Sequence, residues 1–397
     1  MTNRALPLSI TAYTASCAAG NGRAALLAAL RARRSGLTRN DFTETPLETW
    51  IGRVHGLESQ PLPGHLAQWE CRNDRLAWHG LQFDGFLTAV AAACERYGAG
   101  RIALVMGTST SSIGATEEGY RRVLTDGQYP EDLRRPAVHS VHSLGDFVQA
   151  ALGLTGTAVT VATACSSSAK VFAQAERLIR LGLADAAVVG GVDTLCNSVL
   201  FGFNALELVS AEPCRPFDRA RRGITLGEAA GFALLEREGD GPWLLGYGES
   251  SDAHHMSSPH PQGTGARLAI ESALARSGLA PQDIDYINLH GTASQKNDEV
   301  EARIVAEMFP ARTRASSTKG WMGHTLGAAG IVEAVIALLA LETGLMPGTL
   351  NTTDLDEACG PQIRLENDEG DVRFAMSNSF GFGGSNCTLL FGRERTT

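Results

Sequence analysis

Four short segments hold residue types that could carry chemistry together. The run Val159-Thr160-Val161-Ala162-Thr163-Ala164-Cys165-Ser166-Ser167-Ser168 passes from β-branched residues through a small-residue turn into an apolar helical pattern ending near Leu181. That order puts Cys165 at the mouth of a helix, where unpaired backbone N–H groups and the helix dipole favour a thiolate. Two readings stand: a nucleophile, or a buried structural cysteine, since free cysteine is among the most buried residue types. Further on, His290-Gly291-Thr292-Ala293-Ser294 follows a strand pattern, the position where open α/β sheets carry their sites. Ser317-Thr318-Lys319-Gly320-Trp321-Met322-Gly323-His324 adds a second imidazole and an ammonium. Asn378-Ser379-Phe380-Gly381-Phe382-Gly383-Gly384-Ser385-Asn386 is a glycine-rich loop able to present backbone N–H donors. Singly, each has a plain structural explanation, such as a satisfied histidine or a tight turn. Combined, a thiol, two imidazoles, a lysine and N–H donors suit thioester chemistry.

The elements that must hold these residues recur along the chain. A helix pattern from Phe83 to Tyr97, a glycine stop, the strand Arg101 to Met106 and Gly107-Thr108 are echoed by a helix from Ala266 to Ser277, Gly278, the strand Ile284 to Leu289 and Gly291-Thr292. The Cys165 turn leads into a helix, and so does the Gly323-His324 turn, whose helix runs from Gly327 to Leu341; both helices are apolar on most sides, as expected between layers. Alternating helices and strands predict an α/β protein with largely parallel pairing and a duplicated unit. The division is expected in the Gly-Asp-Gly-Pro stretch near Glu238 to Pro242, giving halves 1–240 and 241–397. Residues 40 to 80, with Trp50, Trp69 and Trp78, show no clear period. Leu6, Leu8, Ile10 and Ala12 alternate with polar positions as in a half-buried strand and argue against a signal peptide.

Composition narrows the class. The 397 residues are 44% hydrophobic and 19% charged with 44 glycines, as in a compact enzyme. A net charge of -9 gives no general attraction to nucleic acid or to an anionic membrane. The longest apolar run, Ile331 to Leu341, is too short for a bilayer span and carries Glu333. The eight cysteines lack paired short spacing, so reduced cytosolic thiols are expected and the location is read as cytoplasmic. His254, His255 and His260 match no usual zinc spacing, and neither a metal nor a cofactor is expected.

In this register the four segments resemble the β-ketoacyl-acyl-carrier-protein synthases of the thiolase superfamily, on the Cys-His-His branch, across roughly residues 85 to 392. The resemblance implies a thiolase-like five-layered α-β-α-β-α fold from two similar halves, usually dimeric, that performs decarboxylative Claisen condensation. It implies that Cys165 takes an acyl group from acyl carrier protein, and that His290 and His324 hold the malonyl thioester and help carbon dioxide leave. Backbone N–H groups of Cys165 and Phe382 would form the oxyanion hole, with Phe382 also gating the acyl chain. Thr292 and Ser294 would bind the pantetheine arm, and Lys319 with Glu301 would be a buried ion pair ordering both histidines. The segment 252–261 resembles a loop near the entrance.

Departures from the family pattern bear on subtype. Glu207 stands where housekeeping members often place a carrier-docking arginine three residues before the serine matching Ser210. Gly227-Glu228-Ala229-Ala230-Gly231 and Ser294 depart mildly from the usual motifs. Chain length and features resemble synthases of bacterial aryl-polyene or other polyketide pathways, working as a homodimer or as a heterodimer with a related subunit. The alternative is a non-catalytic chain-length-type subunit, but those lack the cysteine. A thiolase would need a second cysteine in the glycine-rich loop; Cys387 falls after it, in an alternating strand.

Overall fold

The computed structural model describes residues 4–395. Its main sheet follows ten strands: β1 (Leu8–Cys17), β2 (Ile102–Gly107), β3 (Ala158–Val161), β4 (Ala186–Asp193), β5 (Ala229–Glu236), β6 (Trp243–Ser251), β7 (Tyr286–Asn288), β8 (Arg314–Ser316), β9 (Phe374–Gly381) and β10 (Ser385–Gly392). The helices that matter here are α1 (Arg72–Leu81), α2 (Phe86–Tyr97), α3 (Ser143–Leu152), α4 (Ser167–Arg180), α5 (Asn197–Ala205), α6 (Thr264–Ser277), α7 (Gln295–Met308) and α8 (Ala329–Thr343).

The strand order is β8-β7-β9-β10-β6-β1-β5-β4-β2-β3. From β1 outward the pairings are antiparallel, antiparallel, parallel and parallel. From β6 outward the same series repeats through β10, β9, β7 and β8. The two series meet where β1 pairs antiparallel with β6, Leu8 opposite Leu244. The duplication read from the helix and strand patterns is therefore a duplication of topology.

Helices fill three layers around the two halves of the sheet. α1, α2 and α3 pack outside the first half and α6 outside the second, flanked by α7, while α4 and α8 cross between them. One apolar cluster lies in that central layer and one beneath each outer layer. This is the five-layered α-β-α-β-α arrangement of the thiolase-like fold. The stretch Leu326–Thr343 has the length and hydropathy of a bilayer span, yet it is 89% buried inside the protein.

Three expectations need correction. Pairing along the ten-strand path is not largely parallel but mixed, five junctions antiparallel and four parallel, because each half returns to the centre of the sheet through two antiparallel strands. β1 is buried on both faces except near Thr11 and Ala12, where a register shift interrupts the pairing with β5, so it is not the half-exposed strand that alternation suggests. As an interior strand with helices on both sides it must bury Ser9, Thr14 and Ser16 as well. The unpatterned 40–80 region leads into α1, whose buried face is Asn73, Asp74, Leu76, Ala77, Gly80 and Leu81, two of them polar. The polar start Arg72-Asn73-Asp74-Arg75 hides that face from a period count.

Where α4 and α8 cross, the backbones approach closely. A Cβ on Gly330 would stand 2.5 Å from the backbone nitrogen of Ala169. Gly330→Ala must push the helices apart and is expected to cost about 1–3 kcal/mol of stability. Urea unfolding followed by circular dichroism measures it, and an unshifted midpoint would contradict the close crossing.

Candidate active site

The nucleophile turn is built by small residues and one strained one. After β3 the chain reverses at Ala164, which adopts φ +52, an unfavourable conformation for a residue with a side chain. Hydrogen bonds hold the turn: Thr163 N–H donates to Ser167 Oγ at 2.9 Å, and Ser167 N–H to the Ala164 carbonyl at 3.1 Å. Cys165 is thereby presented just before α4 begins.

Topology brings the second half to the same place. His324 lies in the segment between β8 and α8, which corresponds to the segment between β3 and α4 that holds Cys165. Its Nε2 is 3.0 Å from Cys165 Sγ. The ring of His290, just past the end of β7, lies edge to face with that of His324 at 5.4 Å. Cys165, His290 and His324 are all buried, and each offers a ligand atom within 4.8 Å of the others.

The backbone decides the state of His324. Its N–H donates to the Thr225 carbonyl at 2.7 Å and its carbonyl accepts Gly227 N–H at 3.0 Å. Leu326 N–H donates to Nδ1 at 3.3 Å, which leaves the ring proton on Nε2, facing the sulfur. A proton there makes Nε2 a donor, not a metal ligand. Burial, reinforced by the Lys319 charge, holds His324 well below the ordinary histidine range; His290 is depressed by burial, by Lys319 and by His324. Both rings are therefore neutral.

Cys165 departs from the thiolate expected at a helix mouth. Burial pushes its thiol up to about 11, although the Phe382 N–H and the Lys319 charge pull the other way.

The partner of Lys319 also differs from expectation. Its ammonium bonds Glu333 on α8 and the His290 carbonyl, with both charged side chains almost fully buried. Glu301 does something else: its carboxylate accepts the N–H of His290 at 2.9 Å and of Gly291 at 2.8 Å, with Asn378 Nδ2 at 3.3 Å. Burial pushes Glu301 up to about 7, against those backbone bonds. Burial likewise raises Glu333, and the adjacent Lys319 charge pulls it back. The resemblance had pointed to Glu301 as the lysine's partner; the pair is made by Glu333 instead. The signal for Glu333 was a lone charge on an otherwise apolar helix.

Asp298, not singled out from the sequence, anchors the same loop. It accepts Thr292 N–H at 2.9 Å, Ala293 N–H at 3.1 Å and Phe217 N–H at 2.7 Å. Thr292 Oγ1 and Ser294 Oγ lie 2.9 Å apart at the pocket wall. The pocket continues past Asn297 and the Ser257-Ser258-Pro259 segment, with the ring of Phe382 tilted against that of Phe203 at 5.5 Å. Its free volume is about 50 Å³, room for a few waters and too little for a long chain. His254 and His260 contact each other at 5.2 Å, on either side of the Ser257-Ser258-Pro259 segment.

Comparison with known proteins gives one consistent result. A family model described as "Beta-ketoacyl synthase, N-terminal domain" matches residues 7–241, and one for the C-terminal domain of the same family matches 243–353. Nodulation protein E of Rhizobium meliloti (strain 1021) is 31% identical, covering 96% of this chain and 98% of that protein. 3-oxoacyl-[acyl-carrier-protein] synthase 2 of Vibrio cholerae is 33% identical, over 74% of this chain and 76% of that one. Among solved structures, a ketosynthase in complex with its chain length factor from Xenorhabdus doucetiae superposes with a TM-score of 0.90 at 35% identity, covering 98% of both chains. The mitochondrial 3-oxoacyl-[acyl-carrier-protein] synthase of Arabidopsis thaliana is 40% identical, but this chain covers 57% of its length.

Two measurements follow. Iodoacetamide labelling of Cys165 should accelerate about tenfold per pH unit between roughly pH 7 and 10, because the thiolate fraction grows that way below the thiol's pKa; a plateau below pH 8 would contradict the raised value. Glu333→Gln should cost about 3–5 kcal/mol by stranding a buried ammonium, and Glu301→Gln about 1–3 kcal/mol by weakening backbone bonds. A larger cost for Glu301→Gln than for Glu333→Gln in denaturant unfolding would return the ion pair to Glu301.

Proposed function

The chain belongs to the β-ketoacyl synthase family, acyltransferases of fatty acid and polyketide synthesis, and from that premise we propose the residues and steps of its condensation. The observation that carries the proposal is the convergence of Cys165, His290 and His324 within 4.8 Å at the base of one pocket.

Loading comes first. The Cys165 sulfur attacks the thioester carbonyl of an acyl group on acyl carrier protein, and its proton ends on the departing pantetheine sulfur. Thr292 and Ser294 hydrogen-bond the pantetheine arm along the pocket wall. Phe382 turns away from Phe203 to admit the chain, since about 50 Å³ cannot hold one. The adjoining Gly383 has φ +76 and open space around it, so the hinge is unencumbered.

Malonyl carrier protein then enters. Carbon dioxide leaves, the electron pair of the broken bond forms an enolate, and the imidazole N–H groups donate to its oxygen. A neutral donor suits this step, because a charged imidazolium could surrender its proton to the enolate and quench it. The carbanion attacks the Cys165 thioester, N–H groups of Cys165 and Phe382 stabilise the tetrahedral oxyanion, and the sulfur departs as the β-ketoacyl product forms. The sulfur recovers a proton from solvent.

A paired assembly with a chain-length-type subunit fits the structural relatives, which include ketosynthases complexed with chain length factors. Carrying the three reactive side chains together favours the catalytic member of such a pair over the silent one.

Intact-protein mass spectrometry with acyl carrier protein thioesters, alongside carbon dioxide release from malonyl carrier protein, separates the roles. Cys165→Ala should take no acyl group. His290→Ala and His324→Ala should load but lose about a hundredfold or more in decarboxylation, the scale of a lost oxyanion donor. Condensation at the normal rate without Cys165 would overturn the proposal.

A further inference from the structure

Asp193, at the end of β4, is fully buried, and among the described residues its carboxylate accepts from neutral donors on three consecutive residues. Oδ1 takes Thr108 Oγ1 at 2.7 Å, Thr110 N–H at 3.0 Å and Thr110 Oγ1 at 2.8 Å. Oδ2 takes Ser109 N–H at 2.9 Å and Ser109 Oγ at 3.1 Å. Since the Ser109 hydroxyl gives its proton to Asp193, its lone pair faces outward and accepts Gly327 N–H at 3.3 Å.

Gly327 follows Leu326, the residue whose N–H fixes the His324 tautomer. Leu326 holds φ +57, a conformation that persists in a residue with a side chain only where the surroundings enforce it. The enforcement is visible at Gly327: a Cβ there would lie 2.6 Å from Asp193 Oδ2 and 2.6 Å from the Ser109 nitrogen. The turn is pressed onto the Asp193 cluster and bonded to it.

We propose that Asp193 is a positioning residue for His324, acting through Ser109 and the Leu326-Gly327 turn to keep the imidazole proton on Nε2. Without the carboxylate, the Ser109 hydroxyl loses its acceptor and is free to rotate, and Gly327 N–H loses its fixed partner. Leu326 then relaxes from its strained φ and withdraws its N–H from Nδ1. The ring proton is no longer confined to the nitrogen that faces Cys165. The inference deepens the role given above to His324 and rests on it for its catalytic consequence.

The test uses Asp193→Asn, nearly equal in shape but turning half of the group into a donor that faces donors, and Ser109→Ala, which removes only the relay. Long-range ¹H–¹⁵N spectra of histidine-labelled protein report the tautomer directly, with the His324 signal assigned by its loss in His324→Ala. Both variants should show a mixed tautomer on His324. Decarboxylation of malonyl carrier protein should fall about tenfold or more in Asp193→Asn and less in Ser109→Ala, with Cys165 loading nearly unchanged. An unaltered Nε2–H signal in folded variants would overturn the inference, as would loading and decarboxylation falling by the same factor. If Asp193→Asn does not fold, Ser109→Ala decides by the same readouts. The tautomer signal needs no turnover, so a changed tautomer with unchanged decarboxylation would refute the role assigned to His324 and leave the positioning by Asp193 standing.

Discussion

The buried ammonium of Lys319 is the interaction on which the arrangement of the site depends. It reaches the His290 carbonyl in the loop after β7 and Glu333 in the central helix α8, while its own segment continues to His324. One cation thus ties together both histidine-bearing loops and the helix behind them. An unpaired charge there would be prohibitive, so Glu333 is required by the presence of Lys319. The same charge discourages protonation of both imidazoles. Structure and chemistry share one electrostatic device.

Topological duplication explains why the site exists where it does. Cys165 and His324 stand at corresponding points, each between the last parallel strand of its half and the helix of the central layer. Because α4 and α8 cross between the sheets, their leading ends converge, and the thiol meets the imidazole at 3.0 Å. Carboxylates finish the loops around that meeting point. Asp298 and Glu301 gather N–H groups from residues 290–293, and Asp193 gathers those after β2. Each takes bonds to several neighbouring donors, which fixes a loop more firmly than one bond could.

Much of this was legible in the sequence, for reasons that also mark where legibility stopped. The helix and strand patterns around Gly107-Thr108 and Gly291-Thr292 recorded the duplication, because local periodicity survives without knowledge of long-range contacts. Cys165, His290, His324 and the Phe382 loop stood out only in combination, because a thiol, two imidazoles and a set of N–H donors together suit one chemistry that none suggests alone. The partner of Lys319 did not, because distance along the chain says nothing about which of Glu301 and Glu333 faces the ammonium. Asp193 and Asp298 were silent for a related reason: their partners are backbone N–H groups and neutral hydroxyls, with no opposite charge at a telling spacing. The state of Cys165 was misjudged because the helix mouth is local information, whereas burial, which outweighs it here, is a property of the whole fold.

A site at rest with a protonated thiol and two neutral imidazoles must generate its charges only during reaction. That order is physically sensible for the enolate chemistry proposed above. An imidazolium would bind the incoming malonyl carboxylate in the ground state and resist its loss as carbon dioxide. Neutral donors bind weakly to the ground-state carbonyl and strongly to the enolate oxygen, so their stabilisation grows along the reaction coordinate. Burial supplies the neutrality, Lys319 reinforces it for the imidazoles, and the backbone at Leu326 aims the proton of His324. In the proposed condensation the rigidity of the surrounding turns serves the same end, since a donor free to swing or to change tautomer would lose that differential before the enolate formed.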